Sequence, residues 1–422
     1  MKTRPRFTFL FDRASRTAVA ALMASLEVTA GEAWSRVIRP VPFERMGEID
    51  FEPGLREFVC MSSMTANFPE RAGALQALRR RYDGAFESVI GGPHASGDPE
   101  DALAAGFDYC CVGEGEETIR TIFDCAVSGL TLSGISGLFT LVEGRPVGER
   151  RAAAVDLDGF DPLPLRTRFP TYIEVGRGCV WGCAYCQTPA IFGRRERFRS
   201  PERVEYIASH YAGLGMNDIR LLLPNALAYG SRRPGAPDTA ALRDLLGRVR
   251  SSCRGCRVYM GSFPSEVRPD YVTPEAVAVL SEFVDNDSLV IGGQSGSDRV
   301  LDALGRGHDA EEIYRACREV IAGGFAASVD LMLGFPFEEA EDRQATFDLA
   351  ERLGRAGARV NMHFLMPLPG TPLSVCRPRF LSADDRRKLD NLAQRGIVRG
   401  RWRRQEEISK EWQDLSENGR GE

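Results

Sequence analysis

Two stretches of this chain switch repeatedly between short apolar runs and helix-length amphipathic runs, and that alternation restricts the fold more than any other feature. In the first stretch the candidate strands are RFTFLF, WSRVIRPVPF, EFVCMSS, ESVIGGP and FDYCCVG. Helical patterns such as SRTAVAALMASLEV, ERAGALQALRRRY and SGDPEDALAAG separate them, the last with Asp98 as N-cap and Pro99 in the first helical position. Strands of about five residues alternating with helices predict a parallel, doubly wound sheet covered on both faces. Ligands of such sheets bind beyond the carboxyl ends of the strands. Here those ends carry SSMTANFP, GGPHASGDPE and GEGEET, all small, polar and rich in glycine.

The second stretch starts near residue 171, with strands TYIEV, DIRLLLP, RVYMGSF, SLVIGG, ASVDLMLGFP and RVNMHFLMP. Helices fall between them, marked by the cap pairs Ser200-Pro201 and Thr273-Pro274 and by a capping box from Asp309 to Glu312. Six strands alternating with helices predict a partial (β/α)6, TIM-like barrel whose chemistry sits at the strand carboxyl ends. The chain is therefore α/β and divides into a flavodoxin- or Rossmann-like domain (1–130), a linker (131–170), the barrel (171–372) and a helical C-terminal extension without strands (373–422). The linker contains one hairpin signal, LFTLVEGRPV.

A net charge of −5, from 54 basic and 59 acidic residues, supplies no global basic field for nucleic acid or membranes. No apolar run approaches the roughly 18–20 residues of a membrane helix. Asp12, Arg13 and Arg16 interrupt what would be the apolar core of a leader, so FTFLF reads as a buried strand. Eleven cysteines form no disulfide framework, which fits a reducing cytoplasm. The basic run RGIVRGRWRR (395–404) reads as a solvated helix or a lid rather than an RNA grip. CRGC, with Cys253 and Cys256, reads as a pair of free thiols, and Cys110-Cys111 as part of a buried strand.

Three cysteines are different. EVGRGCVWGCAYCQTPAIFG spaces Cys179, Cys183 and Cys186 as C-x-x-x-C-x-x-C, directly after the first barrel strand. Thiolates are the ligands for soft metals and iron–sulfur clusters, and the interleaved Gly176, Gly178 and Gly182 allow a tight loop. A closed zinc site takes four ligands, whereas three leave an open position for chemistry.

This run resembles the cluster loop of the radical S-adenosylmethionine (SAM) superfamily, including the aromatic Tyr185 before the third cysteine. The resemblance implies a 4Fe–4S cluster on three thiolates, with SAM chelated at the fourth iron and an electron donor such as flavodoxin or ferredoxin. It continues through the barrel, where several stretches resemble methylthiotransferases and anaerobic coproporphyrinogen oxidases. By that likeness Glu266 in GSFPSEVRP faces the SAM ammonium. Gln294, with Ser295 beside it, reaches the ribose and Arg306 the SAM carboxylate, all within GGQSGSDRVLDALGRGH. Asp330 in VDLMLGFP points towards the ribose hydroxyls. His308, and His363 with Asn361, are candidates to line the barrel mouth. Two departures stand out. LLPNALAYG occupies the place of a Gly-Gly-Glu run, and Phe337 replaces a glycine of G-x-P-G-E-T.

The N-terminal module resembles the cobalamin-binding domain that precedes many radical SAM barrels. That likeness places Ser62, Thr65, Gly91, Gly92, His94, Gly113, Glu114 and Gly115 beside cobalamin. The D-x-H-x-x-G cobalt-ligand motif is absent, since FDRASR follows the first strand. Together the resemblances imply a cobalamin-dependent methyl transfer to an unactivated carbon of an unknown substrate. The alternatives are a cobalamin-independent rearrangement, cyclisation or sulfur insertion, and a non-catalytic cobalamin or redox sensor. Methylthiotransferases carry three further cysteines upstream, and Cys60, Cys110, Cys111 and Cys125 do not form that set.

Overall fold

The computed structural model describes residues 4–82, 84–150 and 154–418, with side chains up to Gln413. The chain divides into two units. One runs to Ile173 and includes Ala190–Phe192 and Leu368–Gly370; the other comprises Glu174–Pro189, Gly193–Pro367 and the chain from Thr371.

The first unit is built on β1 (Arg4–Phe11), β2 (Ile38–Pro42), β3 (Leu55–Ser62), β4 (Glu87–Gly91), β5 (Tyr109–Cys111), β6 (Leu138–Val142) and β7 (Arg145–Val147). Their order is β2-β1-β3-β4-β5-β6-β7. The first five are parallel, and the 2-1-3-4-5 order is that of flavodoxin-like folds. Strands buried on both faces need near-continuous apolar sequence. β1 and β3 supply it, and Phe7 stacks on Phe58 across their pairing at 4.7 Å. β2 lies at the sheet edge, where Pro40 and Pro42 can lack N–H donors at little cost. The start of WSRVIRPVPF differs from expectation, with Trp34–Val37 a single helical turn. The hairpin read within a linker adds β6 and β7 antiparallel to the same sheet.

β8 (Ile173–Glu174) spans the boundary, and the second unit continues with β9 (Gly176–Arg177), β10 (Arg197–Phe198), β11 (Asp218–Leu222), β12 (Arg257–Tyr259), β13 (Ser288–Gln294), β14 (Ala326–Leu333), β15 (Arg359–Phe364) and β16 (Val398–Arg399). Two sheets, β12-β11-β8 and β13-β14-β15-β16, are joined by a parallel bridge from Val267 to Ile291. β9 and β10 form a small antiparallel pair flanking the cysteine loop. The pairs from β11 to β12 and from β13 through β16 are parallel, so their carboxyl ends share one side. Helices Pro201–Gly213, Thr239–Ser252, Pro274–Phe283, Ala310–Ala322 and Ala340–Arg355 intervene. Ser200, Thr273 and Asp309 cap three of them by accepting backbone N–H bonds, each cap contributing about 1 kcal/mol.

The C-terminal extension is not purely helical. β16 pairs with β15, Asn361 opposite Arg399, between the helices Ala383–Gln394 and Trp402–Asn418. A two-residue strand has no readable period. Among the described residues no helix is long and apolar enough to cross a membrane.

Candidate functional site

The site of the second unit grows from the carboxyl ends of its parallel strands. The cysteine loop leaves β9 and is held at several points. Gly193 O accepts from Cys179 N at 3.3 Å, Leu304 O from Ala184 N at 3.0 Å, and Cys183 O from Cys186 N at 3.0 Å. Gly178 has φ +85°, and a Cβ there would strike the Arg195 backbone. Burial pushes the Cys179 thiol up to about 11; the Trp181 N–H opposes this, and the charges of Cys183 and Cys186 add to it. The thiols therefore sense one another, yet no three Cys, His, Asp or Glu among the described residues close on a single ion. Three thiols on one loop suit a cluster, whose corners each take one sulfur, and a cationic metal would reverse the thiols' reluctance to ionise.

Arg306 is the hub of the site. It is buried, and each of its side-chain nitrogens donates to protein: Nη1 to Cys183 Sγ at 3.5 Å and Tyr185 Oη at 3.1 Å, Nε to His308 Nε2 at 3.1 Å, and Nη2 to Gly292 O. Burial, with the charges of Arg306 and Arg268, pushes the His308 pKa down to about 2. Its ring is neutral, so Nε2 accepts and the proton lies on Nδ1, 3.4 Å from Asp309 O. Behind Tyr185 lies an apolar cluster of Val300, Leu304, Phe335 and Leu365. Phe337, the departure from the glycine pattern, stacks on Phe335 at 6.0 Å and extends that wall.

Gly292 shows where the side chains converge. A Cβ on it would collide with Glu266 Oε2 and lie 3.4 Å from both Arg306 Nη2 and Gln294 Oε1. The β13–β14 register shifts between Gly292 and Gln294, and Gln294 adopts φ +71°. A non-glycine residue holds that conformation only when its surroundings impose it. The turn leaves Gln294 Oε1 buried without a hydrogen-bond partner, an acceptor aimed into the site. Glu266 is half-buried. Burial pushes its carboxyl up to about 7, with the Asp330 charge adding and those of Arg306 and His363 opposing.

Asp330 and Asn361 pair across β14 and β15, and Asn361 Nδ2 donates to Asp330 Oδ1 at 2.5 Å. His363, two residues on, holds Nε2 3.6 Å from Asp330 Oδ2. Burial works against its charged form, but the Asp330 bond and the Asp330 and Glu266 charges outweigh it and raise its pKa. Two residues that sequence reasoning missed complete this edge. Arg399 Nε donates to Asn361 Oδ1 at 2.7 Å, and Gln405 Nε2 lies 3.4 Å from His363 Nδ1. Arg268, also missed, stacks its guanidinium 4.0 Å over Trp181 of the cysteine loop. The flanking glycines of GRGH carried a signal for this, because a Cβ on Gly307 would overlap the Trp181 ring.

Tyr185, Glu266, Gln294, Arg306 and Asp330 thus come together with Cys183. Ser295 does not join them. It is fully buried, with Oγ 3.2 Å from Thr346 Oγ1 and accepting from Ser297 N. The Gln294 acceptor, the Glu266 and Asp330 carboxylates and the small floor at Gly292 suit a cationic ligand bearing a diol, as SAM is. The basic C-terminal run is largely engaged within the protein: Arg395 pairs with Glu351, Arg403 with Asp390 and Arg404 with Glu407.

In the first unit the expected cobalamin residues behave in two ways. Gly113, at φ +81°, has nothing within 4 Å of a Cβ position, and Ser63 Oγ is buried without a partner. These suit a ligand crossing the carboxyl ends. Gly92 has a packing reason instead, because a Cβ would lie 2.5 Å from Ser62 Oγ and 2.8 Å from Ser63 O. His94 is fully buried, stacked on Phe68 at 4.0 Å, with Nδ1 3.4 Å from Thr65 Oγ1 and Nε2 3.0 Å from Asp101 Oδ2. Glu114 is also buried and accepts from Val155 N at 3.3 Å. Gly115 packs on Leu22 and Cys111, whereas Gly91 is in ordinary contact with Cys111.

Comparison with known proteins matches residues 173–350 to the radical SAM superfamily and residues 49–123 to the B12 binding domain. A tRNA-2-methylthio-N(6)-dimethylallyladenosine synthase from Alteromonas mediterranea is 28% identical over 309 residues, covering 69% of this chain and 61% of that protein. The Magnetococcus marinus protein of the same name is 31% identical over 296 residues, covering 67% and 65%. The chain thus spans less than two thirds of the length of these relatives. Among solved structures, the radical SAM methyltransferase TsrM from Kitasatospora setae, with cobalamin and a 4Fe–4S cluster bound, superposes with TM-score 0.67. It is 16% identical, with 88% of this chain and 74% of that one covered. The cobalamin-dependent SAM radical enzyme OxsB gives 0.63 at 14% identity, covering 82% and 52%.

Proposed function

From the premise that this chain belongs to the radical SAM superfamily and carries a B12-binding domain ahead of its barrel, we propose that it transfers a methyl group to an unactivated carbon. The cofactors of that membership are a 4Fe–4S cluster, SAM and cobalamin. Bound together they supply a carbon-centred radical and a transferable methyl group, the chemistry the protein itself cannot perform.

The chain's own residues bind, orient and insulate. Cys179, Cys183 and Cys186 take the cluster. Arg306 holds Cys183 and Tyr185 in one hydrogen-bonded unit. The carboxylates of Glu266 and Asp330 complement the cationic cosubstrate, and Gln294 offers its unpaired Oε1 to the ribose. The apolar wall behind Tyr185 keeps water from a reactive carbon centre. The observation that carries the reading is the convergence of Glu266, Gln294 and Arg306 on Gly292 beside the cysteine loop. Eleven cysteines without a disulfide fit action in the cytoplasm.

Sulfur insertion is the second reading, favoured by the methylthio synthases whose barrel sequence the chain resembles. It needs a second cluster upstream, and Cys60 and Cys110 are instead buried in the sheet, where burial pushes both thiols up strongly. The test is anaerobic turnover with hydroxocobalamin and methyl-deuterated SAM against a cell extract. Methyl transfer yields products carrying the deuterated methyl group. Products that gain sulfur, with no cobalamin retained by the protein, would replace it with the second reading.

A further inference from the structure

Two exposed loops of the second unit carry arginines that no acidic side chain neutralises. Arg194 and Arg195 follow the cysteine loop, and Arg232 and Arg233 follow β11; all four are exposed, and none takes part in an ion pair among the described residues. Arginines on the outer helices are treated differently. Arg243 pairs with Glu282, Arg352 with Glu311, and Arg248 with Glu202, Glu205 and Asp244. The one acid of the first loop, Glu196, is half-buried, whereas Arg194 and Arg195 are exposed. The second loop, SRRPGA, contains no acid. The outward charge of both loops is therefore wholly basic on a chain whose net charge is −5.

Both loops are tied to the cysteine loop. Arg194 donates from Nε and Nη2 to Val180 O, at 3.2 and 2.9 Å, next to Cys179. Gly193 O accepts from Cys179 N. On the other side, a Cβ at Gly235 would lie 3.5 Å from Asp270 Oδ2. Asp270 pairs with Arg268 at 3.0 Å, and Arg268 stacks on Trp181 of the cysteine loop. The patch thus borders the segment that holds the three thiols.

We propose that Arg194, Arg195, Arg232 and Arg233 form the docking face for an acidic one-electron carrier protein that reduces the cluster. The inference rests on the radical SAM reading above. With a cluster held by Cys179, Cys183 and Cys186, the carrier would lose one electron and the cluster would gain it; supplied to SAM, that electron would break the C5′–S bond into methionine and one carbon-centred radical, so charge and electrons would balance. Electron transfer falls steeply with distance, so the carrier must seat against the cysteine loop. Against the acidic whole, a local basic face is what steers and orients an acidic partner.

The test uses the full-length, cluster-loaded protein and its R195E and R232E/R233E variants, which leave the Arg194 bonds to Val180 O in place, with R195K as the charge-keeping control. Each is reduced either by flavodoxin hydroquinone or by dithionite, and cluster bleaching and 5′-deoxyadenosine release are followed. The flavodoxin-driven rate is expected to fall about tenfold or more in each Glu variant, to stay within about twofold in the Lys variant, and in the parent to drop steeply between about 50 and 300 mM salt. The dithionite-driven rate stays unchanged, which also separates failure of the docking face from failure of the radical SAM reading. An unchanged flavodoxin rate in the Glu variants overturns the proposal. So does equal loss with dithionite, which would assign the loops to the pocket itself. Loss of transfer-RNA binding with the flavodoxin rate intact would give the patch to RNA instead.

Discussion

Replacing Glu266 by glutamine should strengthen the fold and weaken the site, and both effects follow from one carboxyl. Burial, with the nearby Asp330 charge, raises its pKa from 4.5 to about 7. Between those values the folded protein holds a proton that the unfolded chain has released. Stability contributed by this group is therefore present below about pH 4.5 and lost as pH rises through 7. Each tenfold change in proton affinity is worth about 1.4 kcal/mol, so the ionised carboxylate costs the SAM-free protein about 3 kcal/mol above that window. Glu266→Gln keeps the shape and removes the titration. The variant should match the parent near pH 4.5 and exceed it by about 3 kcal/mol near pH 8, or about 6–12 °C in the unfolding midpoint for a domain of this size. SAM affinity moves the other way, because the cation loses its carboxylate. Thermal unfolding of SAM-free parent and variant across this pH range, with equilibrium dialysis of labelled SAM at about pH 8, measures both. A stability difference independent of pH, or a variant less stable than the parent at the alkaline end, refutes the reasoning.

Gly307→Ala should expel the Trp181 ring from its seat and loosen the cysteine loop, lowering iron per chain after reconstitution while leaving the N-terminal unit folded; iron analysis and tryptophan fluorescence report it. Arg399→Ala removes the donor that holds Asn361, and through it Asp330. SAM binding should weaken by up to about 1.5–3 kcal/mol, the worth of one hydrogen bond to a charged group, with partial recovery in Arg399→Lys. Gly92→Ala should destabilise the N-terminal unit by about 1–3 kcal/mol through clash with Ser62 and Ser63 and strain at φ +92°. Gly113→Asn tolerates its positive φ and should instead lower cobalamin retention on a desalting column without changing the unfolding midpoint.

The parallel strands were legible because strands buried on both faces need a run of apolar residues, and β1, β3, β13 and β14 carry FLF, FVCM, LVI and LML. β16 was not, since two residues between Gly396 and Gly400 obey no period and their pairing is set by β15. The proline-bearing half of WSRVIRPVPF kept its strand, whereas the WSRV half became a turn of helix that only tertiary packing decides. At the site, motif order singled out Cys179, Glu266, Gln294, Arg306 and Asp330; Gln294 ends β13 and Asp330 lies within β14, whereas Arg306 sits in the loop after the helix Asp298–Ala303. Ser295 and His94 have the same chemistry-bearing side chains, but which way they turn depends on Thr346 and Phe68, distant partners that no local pattern reveals. Arg399 lay hidden in an arginine-rich run whose other members make surface ion pairs.

The central claim is that the three-cysteine loop holds an open cluster at which SAM is cleaved. Its most direct measurement is 5′-deoxyadenosine released per chain by anaerobically reconstituted protein with dithionite and SAM, the parent beside a Cys179→Ala/Cys183→Ala/Cys186→Ala variant. The account predicts about four irons and four sulfides in the parent with steady nucleoside release, and loss of both cluster and release in the variant. A variant that keeps its iron and its brown colour, or a fully loaded parent that leaves SAM intact, would contradict it.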